Sequence, residues 1–158
     1  MKAKNLSKFC IVLSTVVALA ACGGPGEVDP RDQFVGGYNY ESTGKAEIKV
    51  GPLTYNIPLD GKGSFTVSKA GDKDKVMLVG YNDTINATVS GNQLILESNV
   101  VYTESSGVEI QLTFDYDKAT LTENQLKWDS SVKAYATYSG YAAHGEGNVS
   151  VVATKQLK

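Results

Sequence analysis

Residues 107–116, Gly107-Val108-Glu109-Ile110-Gln111-Leu112-Thr113-Phe114-Asp115-Tyr116, decide the fold. Val108, Ile110, Leu112, Phe114 and Tyr116 take every second position, with Glu109, Gln111, Thr113 and Asp115 between them. Successive side chains of a strand point to opposite faces, so the pattern predicts an antiparallel strand with one face in a core and the other in water. Working outward, the same template fits Ala46, Ile48 and Val50 against Lys45, Glu47 and Lys49, and Leu53, Tyr55 and Ile57 against Thr54 and Asn56. It also fits Phe65 and Val67 against Ser64, Thr66 and Ser68, and Ile85, Ala87 and Val89 against Thr84, Asn86 and Thr88. Between these runs stand turn signals: Val50-Gly51-Pro52, Asp60-Gly61-Lys62-Gly63, Ala70-Gly71-Asp72, Ser90-Gly91-Asn92 and Ser105-Ser106-Gly107.

One segment imitates a helix. Leu121, Asn124, Gln125 and Trp128 fall at helical spacing, and Thr122 with Gln125 imitates a capping box. An internal repeat argues otherwise: residues 87–98 (Ala-Thr-Val-Ser-Gly-Asn-Gln-Leu-Ile-Leu-Glu-Ser) align with residues 119–130 (Ala-Thr-Leu-Thr-Glu-Asn-Gln-Leu-Lys-Trp-Asp-Ser). The first copy reads as a hairpin through Ser90-Gly91-Asn92, so the second is expected to be strand-turn-strand, with Leu126 and Trp128 inward like Leu94 and Leu96. Sixteen Gly, nine Tyr and two Met suit strands and turns. Nine or ten antiparallel strands must dispose of two sheet edges; a single closed barrel removes them, and a β-sandwich is the competing solution.

The N-terminus reads as an export signal. Lys2, Lys4 and Lys8 precede an apolar run from Phe9 to Ala21, too short for the roughly 20 residues of a membrane span. Leu19-Ala20-Ala21-Cys22 resembles the lipobox of bacterial lipoproteins. That resemblance implies cleavage before Cys22, a diacylglyceryl thioether on its sulfur and an acylated amine, the acyl chains being of the palmitate type. An Asp directly after the lipidated Cys retains enteric lipoproteins in the inner membrane; position 23 is Gly here, which points to the outer membrane. Residues 1–21 are thus expected to be a signal peptide, 22–33 a flexible lipid-anchored tether rich in Gly and Pro, and 34–158 one β domain. Without residues 1–21 the chain holds 12 basic and 17 acidic groups, so a basic nucleic-acid footprint is absent.

Phe34-Val35-Gly36-Gly37-Tyr38-Asn39-Tyr40, followed by a β meander with Gly-Asn-x-Leu-x-Leu hairpins, resembles the small lipocalin-like (calycin-like) lipoproteins of Bacteroides-type bacteria. The likeness spans most of residues 34–158 and implies a lipocalin-like barrel. True lipocalins open with Gly-x-Trp where this chain has Gly36-Gly37-Tyr38, with its single Trp at 128, so the likeness implies the barrel rather than a particular ligand.

Chemistry is sparse. Cys10 leaves with the signal and Cys22 is consumed by lipid, so the mature domain offers no thiol for a disulfide, zinc or nucleophilic catalysis. His144 is the only histidine, and no Gly-x-Ser-x-Gly elbow or phosphate-cradling Gly-rich loop occurs. Asp115 and Asp117, with Glu104 or Glu109, are the carboxylates a glycan hydrolase would need, but they read first as the wet face of an outer strand. Asp72-Lys73-Asp74 opens like a calcium loop and lacks the Gly and closing Glu. No enzyme, metal or cofactor is therefore expected.

Tyrosines at 38, 40, 55, 81, 135, 138 and 141 are the better clue, because Tyr joins a large apolar face to a hydroxyl. Continuous alternation would place Tyr135, Thr137, Ser139 and Tyr141 on one face. Turned inward, that face would line a cavity for a small amphipathic or glycan-like ligand; turned outward, it would be a Tyr-rich glycan or protein surface; a filled core with rim tyrosines is the third option. Asp83-Thr84-Ile85 resembles the acceptor at which Bacteroides-type bacteria attach O-linked glycans, marking Thr84. The expected function is a membrane-anchored, non-catalytic binding domain, the alternative being a solid structural or protein-interaction module of the cell envelope.

Overall fold

The computed structural model describes residues 28–50, 53–81, 83–105, 108–138 and 141–156. Eleven strand segments follow in order: β1 (Gly36–Val50), β2 (Leu53–Pro58), β3 (Gly61–Lys69), β4 (Lys75–Val79), β5 (Thr84–Ser90), β6 (Gln93–Leu96), β7 (Asn99–Ser105), β8 (Val108–Tyr116), β9 (Ala119–Thr122), β10 (Gln125–Tyr138) and β11 (Tyr141–Lys155). Among the described residues there is no helix.

Every ladder is antiparallel, and several segments are halves of one interrupted strand. β2 and β3 lie end to end along β1, pairing with residues 45–50 and 36–42 respectively. β9 and β8 lie likewise along β10, and β6 and β7 along β9 and β8. The wall thus runs β11-β1-β3-β4-β5-β6-β9-β10 and closes because β11 pairs with β10 as well as with β1. This is an eight-stranded antiparallel barrel with neighbouring strands consecutive in the chain; the sandwich is not formed. Eight strands leave an interior that side chains can fill. Tyr38 stacks on Phe65 with centroids 5.3 Å apart, Phe65 meets Trp128 edge-on at 6.2 Å, and Val67, Leu78, Val89, Leu94 and Leu126 complete the filling.

Strand lengths divide the barrel into two ends. β4 and β5 have 5 and 7 residues against 14 or 15 in β1, β10 and β11. Beyond the short hairpin the wall continues only as a curved sheet of order β2-β1-β11-β10-β8-β7, and among the described residues no ladder joins β2 to β7. The opposite end is closed by residues 28–35. Phe34 is wholly buried there, and its carbonyl accepts the Tyr38 hydroxyl at 2.9 Å.

The strand of the opening sequence is β8, with Ile110 and Leu112 buried, Val108, Phe114 and Tyr116 half-buried against the core, and Glu109 in water. The repeat also holds its shape. β5 turns into β6 through Gly91-Asn92 and β9 into β10 through Glu123-Asn124; φ is +62° at Gly91 and +55° at Glu123. Leu94, Leu96, Leu126 and Trp128 all point inward. Both turns even bond their next neighbour alike, Asn92 O accepting Leu121 N–H at 2.9 Å and Asn124 O accepting Lys155 N–H at 2.7 Å.

Two expectations change. Asp60-Gly61-Lys62-Gly63 is not a hairpin turn; the chain makes only a local break between β2 and β3, where the Asp60 carboxylate accepts Gly44 N–H and Leu59 N–H donates to Gly44 O, both at 2.9 Å. Gly63 lies flat beneath the Tyr40 ring, which a Cβ there would meet at 2.7 Å. Residues 29–33, expected to be part of a flexible tether, are instead bonded to the barrel or to one another. Residues 29–34 turn back on themselves and dock on the closed end, where the Arg31 guanidinium donates to Ala70 O and Asp72 O at 2.9 and 2.6 Å. Residues 22–27 and the signal segment lie outside the described residues.

Candidate binding groove

The row of Tyr135, Thr137, Ser139 and Tyr141 could line a cavity, face outward or rim a filled core, and the structure divides it between faces. β10 residues 126, 128, 130, 132 and 134 are buried, so Tyr135 and Thr137 point to the outer face. β11 pairs antiparallel with β10, with Tyr138 opposite Tyr141 and Tyr135 opposite His144. In β11 the buried positions are 143, 149, 151 and 153, so Tyr141 has the inward parity although it is 73% exposed at the open end. Tyr135 and Tyr141 therefore belong to opposite faces, because the hairpin breaks the alternation that would have joined them. Ser139 and Cys22 lie outside the described residues.

The strand registers put a continuous row across the outer face of the six-stranded sheet. From β7 to β2 it reads Tyr102, Gln111, Tyr135, His144, Lys49 and Thr54, each directly opposite the next. Strands lie about 4.8 Å apart, so Tyr102 to His144 spans about 14 Å. Tyr102 is 63% and Tyr135 38% exposed, and the His144 ring stands edge-on to Tyr135 with centroids 5.3 Å apart and planes at 87°. This row floors two adjoining depressions. One, of about 570 Å³, is lined by Tyr102, Glu109, Gln111, Tyr135, Thr137 and His144 among others. The second, of about 460 Å³, shares Tyr135 and His144 and adds Glu47, Lys49, Lys133 and Glu146. Both have the volume of small-molecule sites.

Electrostatically the groove is mixed. Lys45 bonds Glu47 at 2.8 Å and, with Lys49, holds its carboxyl below the usual range; Lys133 reaches Asp115 at 3.6 Å. Asp115 also accepts from Ser98 Oγ at 3.1 Å, and neither Asp115 nor the exposed Asp117 lines either depression. Among the described residues no group of three His, Cys, Asp or Glu is placed to hold a metal ion. Thr84 is exposed at the start of β5, its N–H capped by the Asp83 side chain at 2.8 Å.

No protein-family model and no curated protein matches this chain. Among solved structures it is similar to the ywiB protein from Bacillus subtilis, at 13% identity and a TM-score of 0.34 over 80% of this chain and 99% of that one.

Sequence reasoning missed Tyr102, Gln111 and Lys49 as companions of Tyr135. Gln111 was already on the polar side of its strand, but only the register of β7, β8, β10, β11 and β1 brings the others level with it. Inside the barrel, Trp128 Nε1 and Ser130 Oγ are buried with no hydrogen-bond partner among the described residues. The inner route for a ligand is filled at this level by Tyr38, Phe65 and Trp128.

Proposed function

We propose that this chain is a lipid-anchored, non-catalytic binding protein of the bacterial cell envelope, of the lipocalin-like lipoprotein type, whose outer-face groove takes a glycan-like ligand. The observation that carries it is the unbroken Tyr102–Gln111–Tyr135–His144 row at the floor of a depression of about 570 Å³. Tyrosine rings offer flat apolar faces to the C–H faces of sugars, and their hydroxyls, with Gln111, His144 and Glu109, supply the polar contacts that fix hydroxyl orientation. A small apolar ligand within the barrel is less well supported, because aromatic side chains occupy the axis. Anchoring rests on Leu19-Ala20-Ala21-Cys22, with Cys22 as the lipid attachment and the outer membrane as the destination.

The test is a glycan array probed with residues 28–158 and with the Tyr102→Ala and Tyr135→Ala variants. Retention of a glycan class by the wild type, lost in both variants at unchanged Tm, is the expected result; equal retention by all three, or by none, would remove the groove as a glycan site. The alternative, a protein-interaction module, is favoured by one observation: among the described residues β7 pairs on one side alone, and it carries neither Lys nor Pro, the residues that usually guard such edges. A partner captured equally by Tyr135→Ala but not by Thr103→Pro would support it.

A further inference from the structure

The closed end of the barrel holds the N-terminal segment by a charged clamp. Asp29 bonds the Arg31 guanidinium at 2.8 and 2.9 Å and Lys69 Nζ at 2.8 Å, and Lys69 also reaches Asp32 at 2.6 Å. Gln33 Nε2 donates to Gly91 O at 2.8 Å, and Lys155 Nζ donates to Gln33 O at 2.9 Å. From Asp29 onward the chain is therefore fixed to the strand β3, the β3–β4 loop and the β5–β6 turn. Six peptide steps separate Cys22 from Val28, a reach of about 20 Å at full extension.

The groove lies at the other end of the molecule. Thirteen residues of β1 separate Gly36 at the closed end from Lys49 in the groove row, about 43 Å of strand, or roughly 30–35 Å along a barrel axis to which strands tilt by 35–45°. A barrel upright on its leash holds the groove at its far tip.

We infer that the anchored molecule presents its closed end to the membrane that bears it, and that the groove takes its ligand from the aqueous side, not from the lipids of that membrane. This rests on the anchoring and groove reading above. It excludes membrane lipid as the ligand and leaves soluble or facing-surface glycans.

The full lipidated chain suits a direct test, because Cys22 is blocked by lipid and a single introduced cysteine labels uniquely. Lys73→Cys in the β3–β4 loop and Thr137→Cys in the groove, each carrying one fluorophore, are reconstituted in phosphatidylethanolamine–phosphatidylglycerol vesicles containing headgroup-nitroxide lipid. Several-fold stronger quenching at residue 73 than at 137 is expected, and the contrast should shrink in an Arg31→Ala, Lys69→Ala variant that still melts as a barrel. Equal quenching, or stronger quenching at 137, overturns the orientation. Failure of the native chain to sediment with vesicles, as expected only of Cys22→Ser, overturns it through the anchor instead. The glycan reading is decided separately on the array.

Discussion

Glu123 carries a backbone conformation that its side chain disfavours. At φ +55° it occupies the left-handed region, which costs an L-residue roughly 1–2 kcal/mol, whereas its counterpart Gly91 at +62° carries no Cβ to clash. Glu123→Gly should therefore raise stability by about 1 kcal/mol, and Gly91→Ala should lower it by a similar amount. Thermal melts should register each as a shift of about 3–5 °C in opposite directions. The turn itself was legible because the Asn-Gln-Leu that follows both residues repeats at constant spacing. The strain was not, because φ at Glu123 is imposed by pairing on both sides of the turn. Ser130 makes the complementary case. Its hydroxyl is 2% exposed and finds no partner among the described residues, so Ser130→Ala should hold or raise the Tm, where Ser42→Ala, which loses a 2.9 Å bond to Leu59 O, should cost about 1 kcal/mol.

At the scale of elements, the β1–β11 pair is shaped by glycines. A Cβ on Gly147 would lie 2.2 Å from Lys45 O, and one on Gly145 would lie 2.2 Å from Glu47 O, so the two backbones cross where the closed barrel opens into the six-stranded sheet. Gly147→Ala should cost about 1–3 kcal/mol, read as a lowered urea midpoint, because backbone atoms cannot move aside as a side-chain tip can. The N-terminal clamp carries a pH signature. Arg31 and Lys69 hold the Asp29 carboxyl far below its ordinary value, so its contribution is complete above about pH 4 and fades as pH falls below that into the range where the folded carboxyl protonates. Proteolysis between residues 27 and 35 should accelerate below pH 4 while the strands stay protected. Strand faces within one run of alternation were readable in β8, β3 and β5, yet the joint face of Tyr135 and Tyr141 was not. The chain reverses direction between β10 and β11, and alternation cannot be carried through a reversal.

The whole molecule is held by pairings between its two ends, since residues 38–49 of β1 meet residues 144–155 of β11. Such closure joins residues about a hundred apart, so folding should be slow, in the range of milliseconds to seconds typical of non-local β topologies. Composition and turn spacing implied a barrel or a sandwich, and only this end-to-end register separates the two. The interior that results can be probed from the alkaline side. Tyr38 is wholly buried and its pKa is pushed up to about 12 by desolvation; Tyr116, stacked on Phe114 at 6.0 Å, is pushed up to about 12 by desolvation and then by the charge of Asp83. Below pH 10 both phenols are neutral in the folded and unfolded chains alike, and the barrel keeps its full stability. Between pH 10 and 12 only the unfolded chain ionises them, so stability falls as pH rises through that window. Absorbance titration should show Tyr38 and Tyr116 ionising together with loss of the near-ultraviolet dichroism. In Tyr38→Phe that step should lose one tyrosine and move to higher pH relative to that variant's own stability at neutral pH. If Tyr38 and Tyr116 instead ionise with the barrel intact, they are not sealed in the interior, and the filled axis that directs the ligand search to the outer face is wrong.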